Sequence, residues 1–285
     1  MDRRSFLGRL GALALAPNVP RVLRAAELAK RPRLGIQLYT LRDDAAKDLA
    51  GTLAKIADIG YTDVELLQSM KNFGMPPKEL RALLDRLHLR APSTHIGTEE
   101  LDDFARTLDD AHVLGHQYVV LASLPGDAAG HLDAYRAMAD RLNAAGEKAR
   151  AAGLWVAFHD EAQDFKAVNG TVPYDVLVSR TDPKLVRLQL DTGNCAVGGG
   201  DPLVYLGKYA DRYWLYHIKD APSLGAEHDT ELGKGVVDFK RLLARIHHKA
   251  EAILYVEQET YPGAPIDSAR RDYAYLAPLV TAWRG

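Results

Sequence analysis

Apolar and polar positions along the chain change period repeatedly, between short apolar or alternating runs and a helical spacing of three to four residues. The short runs are rich in β-branched and aromatic residues, and they predict eight strands at residues 34–39, 63–67, 91–96, 118–122, 154–161, 186–191, 213–219 and 253–257. The helical spacing predicts helices at residues 49–59, 77–87, 99–114, 134–152, 174–179, 202–210, 238–247 and 269–282. Strand and helix therefore alternate from residue 34 onward.

Glycines mark the ends of three predicted helices. Gly60, Gly115 and Gly153 each follow a helical segment and precede a strand, which is where a helix C-cap needs a left-handed residue. Regular β/α alternation indicates a parallel sheet, and eight units predict an α/β fold of the closed (β/α)8 TIM barrel type. The alternative is an open, doubly wound sheet, but no Gly-x-Gly-x-x-Gly motif follows the first strand. We expect one barrel domain over residues 32–285.

Composition narrows the classes of function. The chain has 285 residues with 47% hydrophobic and 26% charged residues, enough for one large domain with a substantial core. Its formal net charge is −2, and Lys and Arg are spread along the chain, which argues against a nucleic-acid partner. Cys195 is the single cysteine. An intrachain disulfide and a multi-cysteine zinc site are therefore excluded, and His and carboxylates remain as metal ligands.

Residues 1–31 have the features of an export signal. Arg3 and Arg4 precede a weakly apolar stretch at residues 10–17, an arrangement typical of a twin-arginine signal and too short to span a bilayer. No other segment is apolar enough for a stable membrane span, so we expect a periplasmic or secreted protein. An amphipathic N-terminal helix is the alternative, because Arg9 interrupts the apolar run.

Polar clusters close the last four predicted strands, at residues 158–161, 190–192, 217–220 and 256–259. In a (β/α)8 barrel the active site lies at the C-terminal ends of the strands. A buried carboxylate or imidazole is costly unless it is paired or bound to a metal. Four such strand ends therefore predict one shared site.

The residue types in these clusters suit a divalent metal such as Mn, Mg, Co or Zn. The predicted ligands are Asp191, His217 and Glu257, together with either His159 or Glu161. His159 and Glu161 lie on the same face of their strand, because side chains alternate along it. A metal at this position would polarise a substrate carbonyl, and Glu257 or Glu161 would act as general base.

Further polar residues at strand ends are predicted to contact the substrate. They are Gln37, Glu65, His95 and Lys219.

The predicted metal ligands Asp191, His217 and Glu257 also have structural alternatives. Asp191 precedes Thr192-Gly193-Asn194 and would serve as a cap for the next segment. His217 would serve as a core histidine, and Glu257 and Glu259 as ion-pair partners of Lys219 or Lys234.

Together these motifs resemble the xylose-isomerase-like sugar phosphate isomerase/epimerase family. The matching segments are residues 35–42, 60–65, 93–96, 158–165, 190–191, 217–220, 232–239 and 255–259. The resemblance covers nearly all of the chain after residue 33. It implies a TIM barrel with a divalent metal held at the ends of the fifth to eighth strands, the last three ligands falling on Asp191, His217 and Glu257.

The chain departs from this family after the fifth strand. Many relatives have His-Asn-His there, whereas this chain has His159-Asp160-Glu161, so the first ligand stays open between His159 and Glu161. Glu161 as ligand would restore the two-glutamate arrangement that resembles ketose 3-epimerases. If His159 binds the metal instead, isomerisation or β-elimination is as compatible with the site as epimerisation.

The sequence thus predicts a metal-dependent isomerase or epimerase of a small carbohydrate. The alternatives are a 3-keto-glycoside lyase that works by β-elimination and a non-catalytic carbohydrate-binding barrel. An abasic-site endonuclease of related barrel type fits poorly, because the near-neutral charge supplies little attraction for phosphates. Export favours a free sugar over a sugar phosphate as substrate.

Overall fold

The computed structural model describes residues 33–128 and 130–285. The predicted export signal lies outside the described residues. Within them, no helix combines the length and apolar character needed to cross a membrane.

Eight parallel strands form a closed barrel in chain order, with β1 pairing with both β2 and β8. The strands are β1 Gly35–Gln37, β2 Asp63–Leu67, β3 Ser93–Ile96, β4 Tyr118–Leu121, β5 Trp155–His159, β6 Val186–Asp191, β7 Tyr213–Ile218 and β8 Ile253–Val256. This confirms the predicted (β/α)8 barrel. Helices surround the strands and bury their apolar faces against them.

The α-helices among the described residues are α1 Arg42–Lys47, α2 Leu49–Ile59, α3 Pro77–Leu87, α4 Thr98–Asp102, α5 Phe104–Leu114, α6 Leu132–Ala151, α7 Pro173–Arg180, α8 Thr192–Val197, α9 Pro202–Lys208, α10 Phe239–Ala244 and α11 Pro265–Arg284. Short 3-10 segments lie at Leu38–Leu41, Gln68–Gly74, Gly126–Ala128 and Ala162–Phe165. The glycine caps are as predicted, since Gly60, Gly115 and Gly153 have φ of 126°, 77° and 77°.

Several elements differ from the sequence prediction. The helix expected at residues 99–114 is divided at Asp103, whose φ of −95° and ψ of 52° are not helical. The first strand ends at Gln37, because the Gln37 side chain accepts a hydrogen bond from the Tyr39 N–H and starts a 3-10 turn. Helix α8 was not predicted, and the Asp191 side chain caps its first turn.

Aromatic and cationic side chains fill the barrel at the N-terminal ends of the strands. The Arg187 guanidinium lies 3.6 Å from the ring centre of Trp155 and 3.4 Å from that of Trp214. The Tyr118 hydroxyl also contacts it. Such cation–π contacts let a charged group pack among apolar neighbours. This end is therefore a packed floor, and the polar clusters lie at the opposite end.

Two buried carboxylates anchor the loop at residues 221–237, which follows β7 and is called the β7 loop below. Asp220 accepts the backbone N–H groups of Ala221, Gly233, Gly235 and Val237, at 2.9, 3.0, 2.9 and 3.1 Å. A Cβ on Gly235 would lie 2.2 Å from the Ala221 carbonyl oxygen, so the chain needs glycine there. Asp272 of α11 accepts the N–H of Leu232 at 2.9 Å.

Burial of Asp272 predicts a pH-dependent stability. Burial raises the pKa of this carboxyl from 3.8 to about 7, so the folded state holds the proton more tightly than the unfolded state. The contribution of Asp272 to stability is therefore fully present below its ordinary pKa of 3.8 and is lost as the pH rises to about 7, by about 1.4 kcal/mol per pH unit at most. We expect Asp272→Asn to gain stability relative to wild type between pH 5 and pH 8, as measured by urea denaturation. Asp267→Asn, which removes an exposed carboxylate from the same helix, is the matched control. If the stability difference between Asp272→Asn and wild type is the same at pH 5 and at pH 8, the expectation is contradicted.

Candidate functional site

A compact cluster of four side chains lies where β5 to β8 end. His159 and Asp191 are the last residues of β5 and β6, His217 is the second-last of β7, and Glu257 directly follows β8. Parallel pairing aligns Asp191 with His217. One ligand atom from each of the four lies within 4.8 Å of all the others, and all four side chains are buried. The strand register thus brings residues that are up to 98 positions apart onto one point, since 257 − 159 = 98.

Two buried acceptors face each other in this cluster. His159 Nδ1 lies 2.8 Å from the Ala122 carbonyl oxygen, to which it must donate, so Nε2 of the neutral ring carries a lone pair. Among the residues that the structure describes, neither that Nε2 nor Asp191 Oδ2 has a hydrogen-bond partner, and the two atoms lie 3.6 Å apart. Burial disfavours a charged His159 ring, but the facing Asp191 carboxylate outweighs this and raises the pKa of His159 to about 9. This arrangement favours a positive species between His159 Nε2 and Asp191 Oδ2, either a proton or a metal ion.

Asp191 performs two functions with its two oxygens. Oδ1 accepts the N–H of Asn194 at 2.7 Å and caps helix α8. Oδ2 remains directed to the cluster. Burial opposes its charge, but Lys219 and the two histidines lower the pKa of Asp191 well below its ordinary value. The capping role that the sequence offered as an alternative is therefore compatible with a role in the cluster.

His217 lies between two carboxylates. Its Nδ1 is 2.9 Å from Glu257 Oε2 and 3.6 Å from Asp191 Oδ2. Its Nε2 is 2.5 Å from Glu65 Oε2. Burial would lower the pKa of His217, but Glu257 and Glu65 raise it well above its ordinary value. His217 is therefore held by carboxylates at both ring nitrogens and is not an ordinary core histidine.

The predicted substrate contacts on β1 to β3 lie in a buried network beneath the cluster. Gln37 Nε2 donates to Glu65 Oε2 at 2.8 Å, and neither side chain has any exposed surface. His95 lies 2.8 Å from Gln189 Oε1, and burial lowers the pKa of its ring to about 3. These three residues contact protein groups rather than solvent. Burial alone would raise the pKa of Glu65, but His95 and His217 lower it to about 2.

Lys219 and Glu161 lie at the border of the cluster. The Lys219 ammonium is buried, 3.6 Å from both Asp191 Oδ2 and Glu257 Oε2, and it also contacts Glu259. Glu161 is half-buried, and its Oε2 accepts a hydrogen bond from Asn194 Nδ2 at 3.3 Å. Burial raises the pKa of Glu161 to about 7. Of the two residues between which the sequence left the first ligand open, the compact group includes His159, and Glu161 lies outside it.

Sequence reasoning missed four members of this site. They are Ser93, Gln189, Asn194 and Tyr255, all of which bond to predicted residues or to each other. A signal existed for Gln189, because it shares a strand face with Asp191 two residues later. Lys234, which the sequence offered as an ion-pair partner of the cluster glutamates, pairs with Glu231 instead.

The donor set of the cluster suits a divalent metal. Two imidazoles and two carboxylates are typical ligands for Zn²⁺, Mn²⁺ or Co²⁺. His159 Nδ1 lies 2.8 Å from the Ala122 carbonyl oxygen, and His217 Nε2 lies 2.5 Å from Glu65 Oε2. Metal-binding histidines usually have such a partner at one ring nitrogen. The residues present therefore fit such an ion, and they do not select which one.

Comparison with known proteins agrees with this architecture. An inosose dehydratase from Geobacillus kaustophilus (strain HTA426) is 26% identical, in an alignment that covers 80% of this chain and 86% of the relative. A sugar phosphate isomerase/epimerase structure from Parabacteroides distasonis ATCC 8503 superposes with a TM-score of 0.72 at 25% identity, covering 87% of this chain and 95% of that one. The IolI protein with a bound zinc atom has the same fold, with a TM-score of 0.68 at 15% identity over 88% of this chain and 99% of its own.

The family described as Xylose isomerase-like TIM barrel matches residues 53–279. This range contains the ends of β2 to β8 and hence all four members of the cluster. The chain therefore belongs to the xylose isomerase-like TIM barrel family and is an enzyme.

Proposed function

We propose that the protein binds a divalent metal through His159, Asp191, His217 and Glu257 and acts on a small keto sugar or keto polyol. The observation that carries this proposal is a pair of buried acceptors, His159 Nε2 and Asp191 Oδ2, that face each other at 3.6 Å and lack hydrogen-bond partners in the described part of the chain. A bound divalent ion would polarise the substrate carbonyl and lower the pKa of the neighbouring C–H group. The named relatives, which are sugar isomerases, epimerases and dehydratases, support a carbohydrate substrate.

Glu161 is proposed as the general base that removes this proton. It is a partly exposed carboxylate beside the cluster and lies outside the four-ligand group. Asn194 holds it through Nδ2, while the Asn194 amide oxygen accepts from Lys219 at 3.0 Å. This arrangement orients one carboxylate oxygen and leaves the other for a substrate, as a general base requires.

The proposed reaction is dehydration. Glu161 takes the proton from the carbon next to the ketone, and the C–O bond at the following carbon breaks. The departing hydroxyl gains a proton and leaves as water, so one proton is removed and one is delivered, and an unsaturated ketone remains. The inosose dehydratase relative supports this outcome. With a glycosidic oxygen as the leaving group, the same steps would give the 3-keto-glycoside lyase predicted as an alternative.

Isomerisation or epimerisation is the second candidate. It is favoured by the presence of a second carboxylate, Glu257, which is coupled electrostatically to Glu161. In that reaction the proton returns to carbon, and the hydroxyl at the next carbon stays in place. The sugar phosphate isomerase/epimerase from Parabacteroides distasonis supports this outcome.

Incubation in ²H₂O with a panel of inososes, keto sugars and 3-keto-glycosides distinguishes these outcomes. We expect a product lighter by one water, with chelation of the metal abolishing turnover. Deuterium incorporation with unchanged carbon skeleton and composition would instead establish the epimerase or isomerase. Sugar binding that survives chelation, without any proton exchange or product, would contradict both and support a non-catalytic binding barrel.

A further inference from the structure

A buried hydrogen-bond chain supports His217 from beneath the cluster. Glu65 of β2 lies across the barrel from β7, and its Oε2 is 2.5 Å from His217 Nε2. Gln37, Ser93 and Gln189, from three other strands, also contact the same carboxylate. Neither Glu65 nor His217 has exposed surface. Their contact is therefore made entirely by protein groups.

The partners of Glu65 show that both its oxygens act as acceptors. Gln37 Oε1 accepts the N–H of Tyr39 at 3.2 Å, which orients the amide so that Nε2 faces Glu65 at 2.8 Å. Gln189 Nε2 lies 3.0 Å from both Glu65 oxygens. The Ser93 hydroxyl donates to Oε1 at 2.6 Å. Amide and hydroxyl donors surround the Glu65 carboxylate, which has no proton to donate. Its contact with His217 Nε2 is therefore a hydrogen bond that His217 donates and Glu65 accepts.

The donor at His217 must therefore be Nε2–H, which leaves the lone pair of a neutral ring on Nδ1. That atom faces Glu257 Oε2 at 2.9 Å and Asp191 Oδ2 at 3.6 Å. We infer that Glu65 is a positioning residue, which holds His217 in the Nε2–H tautomer and directs its Nδ1 lone pair to the metal. This inference rests on the metal site of the proposed function.

The competing state of the ring explains why such support matters. In the opposite tautomer, Nδ1–H would donate to Glu257 Oε2, which is already at hydrogen-bond distance. The lone pair would then point away from Asp191 and Glu257. Glu65 opposes this state because it would lose its contact with Nε2. A histidine ligand held by a carboxylate behind it is a recurring way to fix both ring orientation and tautomer.

Metal affinity and histidine NMR of the full-length protein test the inference. Zn²⁺ affinity is measured by competition with a chromophoric chelator, and the tautomer of His217 by long-range ¹H–¹⁵N correlation on ¹⁵N-histidine-labelled, Zn²⁺-loaded protein. For Glu65→Gln we expect zinc binding about 10–100-fold weaker, with loss of a uniform Nε2–H tautomer. Gln189→Met removes two hydrogen bonds to Glu65 but leaves the Glu65 carboxylate in place. We therefore expect a smaller loss of zinc affinity than in Glu65→Gln.

Asp63→Asn is the matched control, because it removes a buried carboxylate from the same strand that pairs with Arg33 and Arg90 instead of His217. It should bind zinc as wild type does. Wild-type affinity and an unchanged His217 tautomer in Glu65→Gln would overturn the inference and leave the proposed metal site intact. If Glu65→Gln does not fold, the same result in Gln189→Met overturns it. Wild-type protein that binds no zinc would overturn the proposed metal site and the inference together.

Discussion

Replacing His159 with alanine is expected to weaken metal binding by more than about 100-fold, beyond the loss typical of residues that only orient a ligand. The reason is that His159 supplies Nε2, one of the two buried acceptors to which no described residue donates a hydrogen bond. Without it, the remaining protein ligands are two carboxylates and one imidazole. Metal content after gel filtration, determined by plasma emission spectrometry, measures the effect.

Glu161→Gln is the matched variant for this measurement. It changes a side chain two residues further along the chain, and it should retain wild-type metal content because Glu161 lies outside the four-ligand group. Circular dichroism establishes that both variants fold. The opposite pattern, in which Glu161→Gln loses the metal and His159→Ala keeps it, would assign the first ligand to Glu161 and contradict the geometry.

The same Glu161→Gln variant is expected to lower kcat by about 10²–10⁴-fold while metal binding stays unchanged, as removal of a general base typically does. An amide is nearly the same shape as the carboxylate and still reaches Asn194, but it cannot take a proton from carbon. The sharpest measurement is the rate of deuterium exchange at the carbon next to the ketone, because it reports proton removal directly.

Glu227→Gln, at an exposed position of the β7 loop, is the control for loss of one negative charge. It should exchange deuterium at the wild-type rate. If Glu161→Gln also exchanges at that rate, Glu161 is not the base. Glu257, the other carboxylate predicted as general base, is then the candidate, and its replacement would remove a metal ligand as well as the base.

The architecture was predictable because it depends on local patterns. Alternation of strand and helix periods identified all eight strands, and the helix ends at Gly60, Gly115 and Gly153 followed from the left-handed conformation that a C-cap needs. Two of the errors arose where a side chain bonds to the backbone. Gln37 starts a turn that shortens β1, and Asp191 starts the unpredicted helix α8.

The choice between His159 and Glu161 could not be made from the sequence. Alternation places both on one face, and their difference depends on the turn that follows. Strand β5 ends at His159, and the Glu161 N–H donates to Asp164 Oδ2 at 2.8 Å, which fixes the start of the Ala162–Phe165 turn. Glu161 is therefore already outside the strand, and only the three-dimensional structure shows that it leaves the compact group.

The network beneath the cluster was also beyond sequence reasoning. Gln37, Glu65 and His95 were recognised as polar residues at strand ends, but two of their partners, Gln189 and His217, come from strands on the far side of the barrel. Glu65 meets Gln189 across 124 positions and His217 across 152. No local pattern encodes such pairs, because they depend on the closure of the sheet.

The anchoring of the β7 loop by Asp220 has a consequence for how this enzyme can diversify. Four backbone amides converge on one buried carboxylate, and Gly235 has no room for a side chain. The path of this part of the rim is thus set before any substrate arrives. Substitution of exposed side chains on this loop, such as Leu224 and Val236, which are 51% and 50% exposed, can therefore change substrate preference. The backbone of the loop keeps its path through such substitutions.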